Sequence, residues 1–279
     1  MPRGINFYDE AQLQKRLWSP NLVNPTIWLD AADLSTLSVD GAGVNTWRDK
    51  SGFNRNATTT VRKPAFLSNA TNNLSAINFT AASGTKLDTP DFSIAPGRQF
   101  CSFAVVSAAG LLGASTYRRI WVTKGVNPDS LTAGSTYAQG YFGSGGNAGE
   151  FIQIAGGTGV TGPIITGLGT SNEPVLLVGA FGTAGANSNE NSTSANGGSR
   201  VSLTGQSGAL STTGIRIGSD VGTTTGSSWN SWIGEIILTG AISFSMVQVI
   251  EGYLAHKWRM NARLPANHPF RNRPPLIGD

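Results

Sequence analysis

The chain has 279 residues, of which only 13% are charged and 36 are glycine. That length can bury a substantial core. The glycines, with abundant Ser, Thr, Asn and Ala, exclude a long-helix protein and favour short strands joined by turns, so all-β is the leading class. A formal charge of +4 is too small for a nucleic-acid-binding surface over the whole molecule. Five Lys or Arg against one acid between His256 and Asp279 make a local basic tail instead.

The first 24 residues differ from the rest of the chain. "YDEAQLQKRLW" can form two or three helical turns, with Tyr8, Leu13 and Leu17 roughly on one side, before "SPNLVNP" breaks it. Residues 1–24 read as an arm ahead of one domain at 25–279. The arm either straps onto that domain or reaches a neighbouring subunit, with Tyr8, Leu13, Leu17 and Trp18 as candidate partner-binding residues. The start "MPRGINFYDEAQLQKRLW" lacks the apolar run of a secretory signal. No window approaches the roughly 18 apolar residues of a membrane span. The expectation is a chain made in a reducing cytoplasm with neither membrane nor nucleic acid as partner, so the sequons "NAT" (56–58) and "NFT" (78–80) carry no weight.

From Thr26 onward short apolar runs alternate with turn clusters, as in a sandwich or barrel. They are "TIWLDA", "SAINF", "FCSFAVV", "RRIWVTK", "EFIQIA", "PVLLVGAF", "SRVSL", "GIRIG" and "WIGEIIL". Cys101, the single cysteine, lies in "FCSFAVV" and reads as a buried small hydrophobe. In "WIGEIIL", strict alternation puts Trp232, Gly234, Ile236 and Leu238 on one face and Ile233, Glu235, Ile237 and Thr239 on the other. Apolar residues on both faces predict an inner strand between two layers. The stretch 183–199, "TAGANSNENSTSANGGS", reads as a long exposed loop.

One helix is predicted, after the last strand. Ser243 or Ser245 can cap it, and Ser245 with Gln248 fits a capping box. Val247, Ile250, Leu254 and Trp258 form its docking stripe. His256 faces away from that stripe, and His268 lies beyond the helix in "LPANHPF". Two histidines twelve positions apart fall short of the three or four ligands a zinc site needs, so hydrogen-bonding structural roles are expected and no metal.

"TIWLDAADLSTL" and "WRDKSG" near the start, with "WIGEIIL", "IEGYLAHKW" and "LPANHPF" near the end, carry a resemblance. The chain resembles the laminin-G-like, concanavalin A-like lectin/glucanase domains of bacterial surface and phage structural proteins. The likeness brackets residues 26–270 and is thin between 110 and 215. It implies a jelly-roll sandwich of two antiparallel sheets whose first and last strands lie together, with the terminal helix packed alongside. The same motif would place both histidines in a structural closing element.

That fold hosts hydrolases, lectins and inert scaffolds, so residues must decide. A glucanase of this fold uses E-x-D-x-x-E on one strand, where alternate acids share a face. None of Glu150, Glu173, Glu190, Glu235 or Glu251 is followed two places later by Asp, so no enzyme is expected, and Glu235 reads as the partner of a loop or basic side chain. Asp49, Ser51, Asn54 and Asn56 could offer oxygens to calcium, but Thr60 stands where a bidentate acid belongs, and a turn held by Asp49 and Gly52 is the better reading. Calcium elsewhere stays open, since this fold commonly holds it in scattered loops. "GGTGVTG" (156–162) runs into Pro163 instead of a helix and reads as a hairpin turn.

Two classes remain. Tyr137, Tyr141 and Phe142 in "STYAQGYFGSGGN" are the candidate glycan-binding cluster, against ordinary strand packing. The architectural reading joins a chain without disulfides to a domain type that works outside cells. It expects a virion component assembled in the host cytoplasm, a capsid decoration or cement protein attached through its arm. The expected partners are other virion proteins such as the major capsid protein, a homo-oligomer, or a surface glycan if the chain is instead a tail-associated or cell-surface adhesin.

Overall fold

The computed structural model describes residues 16–94, 99–107, 109, 117–124, 137–142, 150–155, 163–168, 172–182, 191–203, 213–219 and 228–279. They build a two-layer antiparallel β-sandwich of the jelly-roll type with a C-terminal helix. One sheet contains β1 (Ile27–Asp30), β5 (Ala65–Thr71), β6 (Leu74–Asn78), β8 (Phe100–Ser107), β13 (Pro174–Phe181), β14 (Asn191–Ala195), β15 (Val201–Leu203) and β17 (Trp232–Gly240). Its order is β15-β14-β13-β8-β17-β6-β5, with β1 added on β17. The other contains β2 (Leu37–Asp40), β3 (Gly43–Trp47), β4 (Ala57–Thr58), β7 (Leu87–Asp88), β9 (Tyr117–Thr123), β10 (Tyr137–Phe142), β11 (Glu150–Ala155), β12 (Ile164–Ile165) and β16 (Ile215–Ile217). Its order is β12-β11-β10-β9-β16-β7-β4-β3-β2. The first and last strands of the chain pair directly, Trp28 opposite Ile237 and Asp30 opposite Glu235.

Two apolar cores result from this layering. Between the sheets lie Trp47, Phe100, Trp121, Phe181 and Trp229, with Ile233, Ile236 and Leu238 from β17. On the back of the eight-stranded sheet, helix α1 (Phe244–Lys257) docks Val247, Ile250 and Leu254, followed by Trp258, onto Phe103, Val105, Leu176 and Ile237. Cys101 is buried in this second core, where loss of water raises its thiol pKa to about 11. β8 and β13 are buried along their whole length because apolar layers cover both faces. The helix is capped by Ser243, whose Oγ accepts the Met246 N–H at 3.2 Å. Ser245 does not form the expected capping box: its hydroxyl sits 2.9 Å from that of Ser243.

Several expectations need correction. Strict alternation fails in β17, because a β-bulge between Ile233 and Glu235 shifts the register against β8. Ile233, Ile236 and Leu238 therefore face the other sheet, whereas Trp232, Gly234, Glu235 and Ile237 face the helix. Residues 191–195 are no exposed loop but β14, buried between β13 and β15. Two of its polar side chains bond to backbone: Thr193 Oγ1 donates to Val178 O, and Asn191 Oδ1 accepts from Gly182 N. Residues 16–24 of the expected arm, by contrast, follow the strapping alternative and lie on the sandwich itself. Trp18 is 5% exposed and sits in the helix-side core, edge-on to Tyr253. Leu17 bridges Leu276 as a short antiparallel pair, with Trp18 N–H on Pro275 O and Ile277 N–H on Arg16 O. The two ends of the described chain are thus stapled together.

Gly234 has a specific task. A Cβ there would lie 2.3 Å from the Trp258 ring, so only glycine lets the indole close over the bulge. Gly234→Ala should cost about 1–3 kcal/mol from overpacking, read by chemical denaturation as a lower midpoint with an unchanged slope.

Candidate functional site

The most concentrated chemistry among the described residues lies where β1, β17 and the end of α1 meet. Trp28 and Asp30 share the helix-facing side of β1, and the bulge in β17 turns Glu235 to the same side. From the helix come Tyr253 and Lys257, with Trp258 just beyond it. Lys50, in the loop after β3, closes the group from the outside.

Glu235 is wholly buried, and its two oxygens are used in full. Oε1 accepts from Trp28 Nε1 at 2.8 Å and from the Tyr253 hydroxyl at 3.3 Å. Oε2 accepts from Trp258 Nε1 at 2.8 Å and Lys257 Nζ at 2.7 Å. Asp30, 2% exposed, shares Lys257 through Oδ1 at 2.6 Å and takes Lys50 on Oδ2 at 2.9 Å. Lys50 also reaches Asp33 at 2.8 Å and lies over the Trp28 ring. Three acids and two lysines thus alternate along one chain of contacts.

Their acidities diverge for physical reasons. Burial pushes the Glu235 carboxyl up, against the pull of Lys257. Asp33, close to solvent, is held down at about 2, chiefly by its hydrogen bond from Lys50. Burial alone would lower Lys50, but Asp30 and Asp33 outweigh it and raise it. Burial and the adjacent carboxylates also raise the Tyr253 phenol, which therefore stays a proton donor to Glu235. An acid that holds a proton more readily than usual, touching an ammonium beside a second carboxyl, can carry protons within the cluster.

Beside the cluster opens a cleft of about 310 Å³, lined by Leu17, Trp18, Tyr253, His256, Lys257, Pro274 and Pro275. It borders the point where the chain enters at residue 16. Of the candidate partner-binding residues, Leu17 is 42% exposed at its rim, and Trp18 is structural; Tyr8 and Leu13 lie outside the described residues.

Tyr137, of the candidate glycan-binding cluster, is a buried residue. It is 2% exposed between the sheets, edge-on to Phe100 and Phe181. Tyr141 and Phe142 continue β10, opposite Phe151 and Glu150 of β11; their side chains lie outside what is described. The outward side of the same sheet instead carries a bidentate pair, Arg216 on Asp88 at 2.6 and 3.0 Å, with Lys86 3.4 Å from the same carboxylate.

The "WRDKSG" loop is a turn. Asp49 accepts from Trp28 N, Ser51 N, Ser51 Oγ and Arg55 N, which uses the oxygens a cation would need. The "GGTGVTG" stretch lies outside the described residues. His256 Nε2 contacts Phe270 O at 2.7 Å and ties the tail to the helix. His268 is buried, with Nδ1 accepting the Phe270 N–H, so Nε2 bears hydrogen and faces Glu251 at 3.3 Å. Glu251 is an acid partner that reading along the sequence missed. Among the described residues no group of three or more His, Cys, Asp or Glu could hold a metal, and no helix is long and apolar enough to cross a membrane.

No protein-family model matches the chain, and no curated protein matches it in sequence. Solved structures do match in shape. Domain 4 of AbnA, a GH43 extracellular arabinanase from Geobacillus stearothermophilus in complex with arabinotriose, superposes with a TM-score of 0.50 at 15% identity. The match covers 80% of this chain and 96% of that domain. Trypanosoma rangeli sialidase with 2,3-difluoro-KDN gives 0.54 at 12%, over 84% of this chain and 33% of that one. The ligand-binding domain of botulinum neurotoxin serotype D with N-acetylneuraminic acid gives 0.51 at 12%, over 84% and 52%. This chain therefore spans nearly all of the arabinanase domain, half of the toxin domain and a third of the sialidase. At such identities the likeness is one of fold.

Lys257→Met should strand Glu235 and cost about 3–5 kcal/mol at neutral pH, the usual penalty for an uncompensated buried charge. The sign with pH is set by the raised pKa of Glu235. The folded state keeps a proton that the unfolded chain releases, so the contribution is full below 4.5 and is lost as pH rises through the folded value. Urea denaturation should show the variant regaining stability on acidification, and Lys257→Met/Glu235→Gln should lose that pH dependence.

Proposed function

We propose that this chain is a non-enzymatic structural protein of a phage particle, a capsid decoration or cement protein held through its N-terminal segment and displaying a lectin-like sandwich. One observation carries the reading. The chain enters at Arg16–Trp18 on the helix-covered back of the eight-stranded sheet, so an anchor there leaves the outward side of the nine-stranded sheet pointing away from whatever is bound. The non-enzymatic part is supported by the saturation of the buried acids: Asp30 and Glu235 meet, but beneath the helix and against two lysines. Resemblance to domains of phage structural proteins supplies the particle context. The reading has the major capsid protein as partner and the virion as location.

Carbohydrate binding by the displayed sandwich is the second reading, for a tail-associated or cell-surface adhesin. It is favoured by matching domains solved with arabinotriose and with N-acetylneuraminic acid. Removing residues 1–15, which stops short of buried Trp18, should leave the thermal midpoint unchanged and abolish incorporation into particles. Incorporation at the full level would move attachment to the sandwich. A glycan array probed with the intact chain separates the two readings: a saturable hit on one sugar class favours the adhesin, silence the scaffold.

A further inference from the structure

The contact of Lys257 with Asp30 and Glu235 does more than neutralise charge. We propose that Lys257 Nζ and Asp30 Cγ condense into an intramolecular amide, with Glu235 as the proton carrier. This goes beyond the display reading and stands independently of it.

The three groups are already in position. Lys257 Nζ lies 2.6 Å from Asp30 Oδ1, so the carboxyl carbon is one bond further on, and 2.7 Å from Glu235 Oε2. Holding amine and carboxyl at this separation turns a slow bimolecular condensation into an intramolecular one. Trp28, Trp258 and Tyr253 surround the two carboxyls, which are buried, so water reaches them only past Lys257, at the wall of the cleft.

Lys50 also touches Asp30, yet the surroundings select Lys257. The second carboxylate beside Lys50 is Asp33, held at about 2 and therefore a poor proton carrier. The second carboxylate beside Lys257 is Glu235, which burial makes more basic. Lys50 fits a different role: its ammonium, 2.9 Å from Asp30 Oδ2, stabilises negative charge on that oxygen.

The step balances without an added reactant. Glu235 takes one proton from the Lys257 ammonium and passes it to Asp30 Oδ1. The freed amine attacks Cγ, and the C=O electron pair moves onto Oδ2 against Lys50. Glu235 then removes a second proton from nitrogen and delivers it to the same Oδ1. The Cγ–Oδ1 bond breaks, water departs, and the electron pair on Oδ2 re-forms the carbonyl of the amide. Ammonium plus carboxylate have become amide plus water, with no redox change. The ion pairs of the cluster are the state before the bond.

The product would tie the end of β1 to the end of α1 in a chain whose single cysteine is buried and has no disulfide partner. Intact-mass measurement of the full folded chain tests it. The expected result is a mass one water below the sequence value, with a protease digest containing a branched peptide that joins Asp30 to Lys257. Glu235→Gln and Lys257→Arg, each checked for folding by circular dichroism, should have the full mass. Wild-type protein at full mass after prolonged incubation at neutral pH would overturn the proposal. So would a digest that places the lost water at Asp40 beside Gly41, or the branch at Lys50.

Discussion

The fold depends on housing one carboxylate. Glu235 is fully buried, and a charge of that kind costs several kcal/mol unless its surroundings replace the water it has lost. Four donors do so, from Trp28, Tyr253, Lys257 and Trp258. Because one belongs to the first strand and three to the closing segment, the carboxylate is satisfied only when both ends of the chain are in place. The polar centre thereby fixes which strand pairs with β17 and where the helix stops.

The apolar layers are arranged around that constraint. The bulge that turns Glu235 toward the helix also presents Gly234, and the missing side chain there admits the Trp258 ring. Trp258 in turn stacks on Trp232 at 6.1 Å and receives the Asn72 amide on its carbonyl, which draws the turn between β5 and β6 into the same closure. One face of the eight-stranded sheet is consumed in this way. The nine-stranded sheet carries its charged pairs, Arg216–Asp88 and Lys86, on its outward side. A molecule built like this has one side covered by helix and closing segment, with the cleft beside Leu17 and Tyr253, and an opposite side that carries partly exposed charge.

Much of this was legible in the sequence, for reasons that also set the limit. The apolar runs "TIWLDA", "FCSFAVV", "PVLLVGAF" and "WIGEIIL" became strands buried on both faces, which demands continuous hydrophobicity, and the stripe Val247, Ile250, Leu254, Trp258 became the docked face of α1. Glu235 with no acid two places on did find a basic partner. The bulge was invisible, since alternation presumes an unbroken register, and with it went the orientation of Gly234 and Glu235. β14 was hidden because Ser and Thr can line a buried strand when backbone groups take their hydroxyls. For Tyr137 the sequence left glycan binding and ordinary strand packing both open, and pairing across β10 put it in the core. The meeting of Asp30 with Glu235 joins opposite ends of the chain, and only topology brings them together.

That same distance along the chain bears on how the molecule would carry a load. The contact from Trp28 to Glu235 spans 207 positions and that from Asn72 to Trp258 spans 186, so the closure forms only with the whole domain in place. A force arriving through residue 16 meets the Leu17–Leu276 bridge first, and behind it Trp18 packed edge-on to Tyr253. Tyr253 in turn donates to Glu235. The pull is therefore delivered to the point where first strand, last strand and helix are already joined. An anchoring segment placed anywhere on β2, β5, β12 or β15, the outer strands of the two sheets, would lack that backing. The two ends of the described chain, Arg16–Trp18 and Pro275–Ile277, thus meet beside the junction that holds first strand, last strand and helix together.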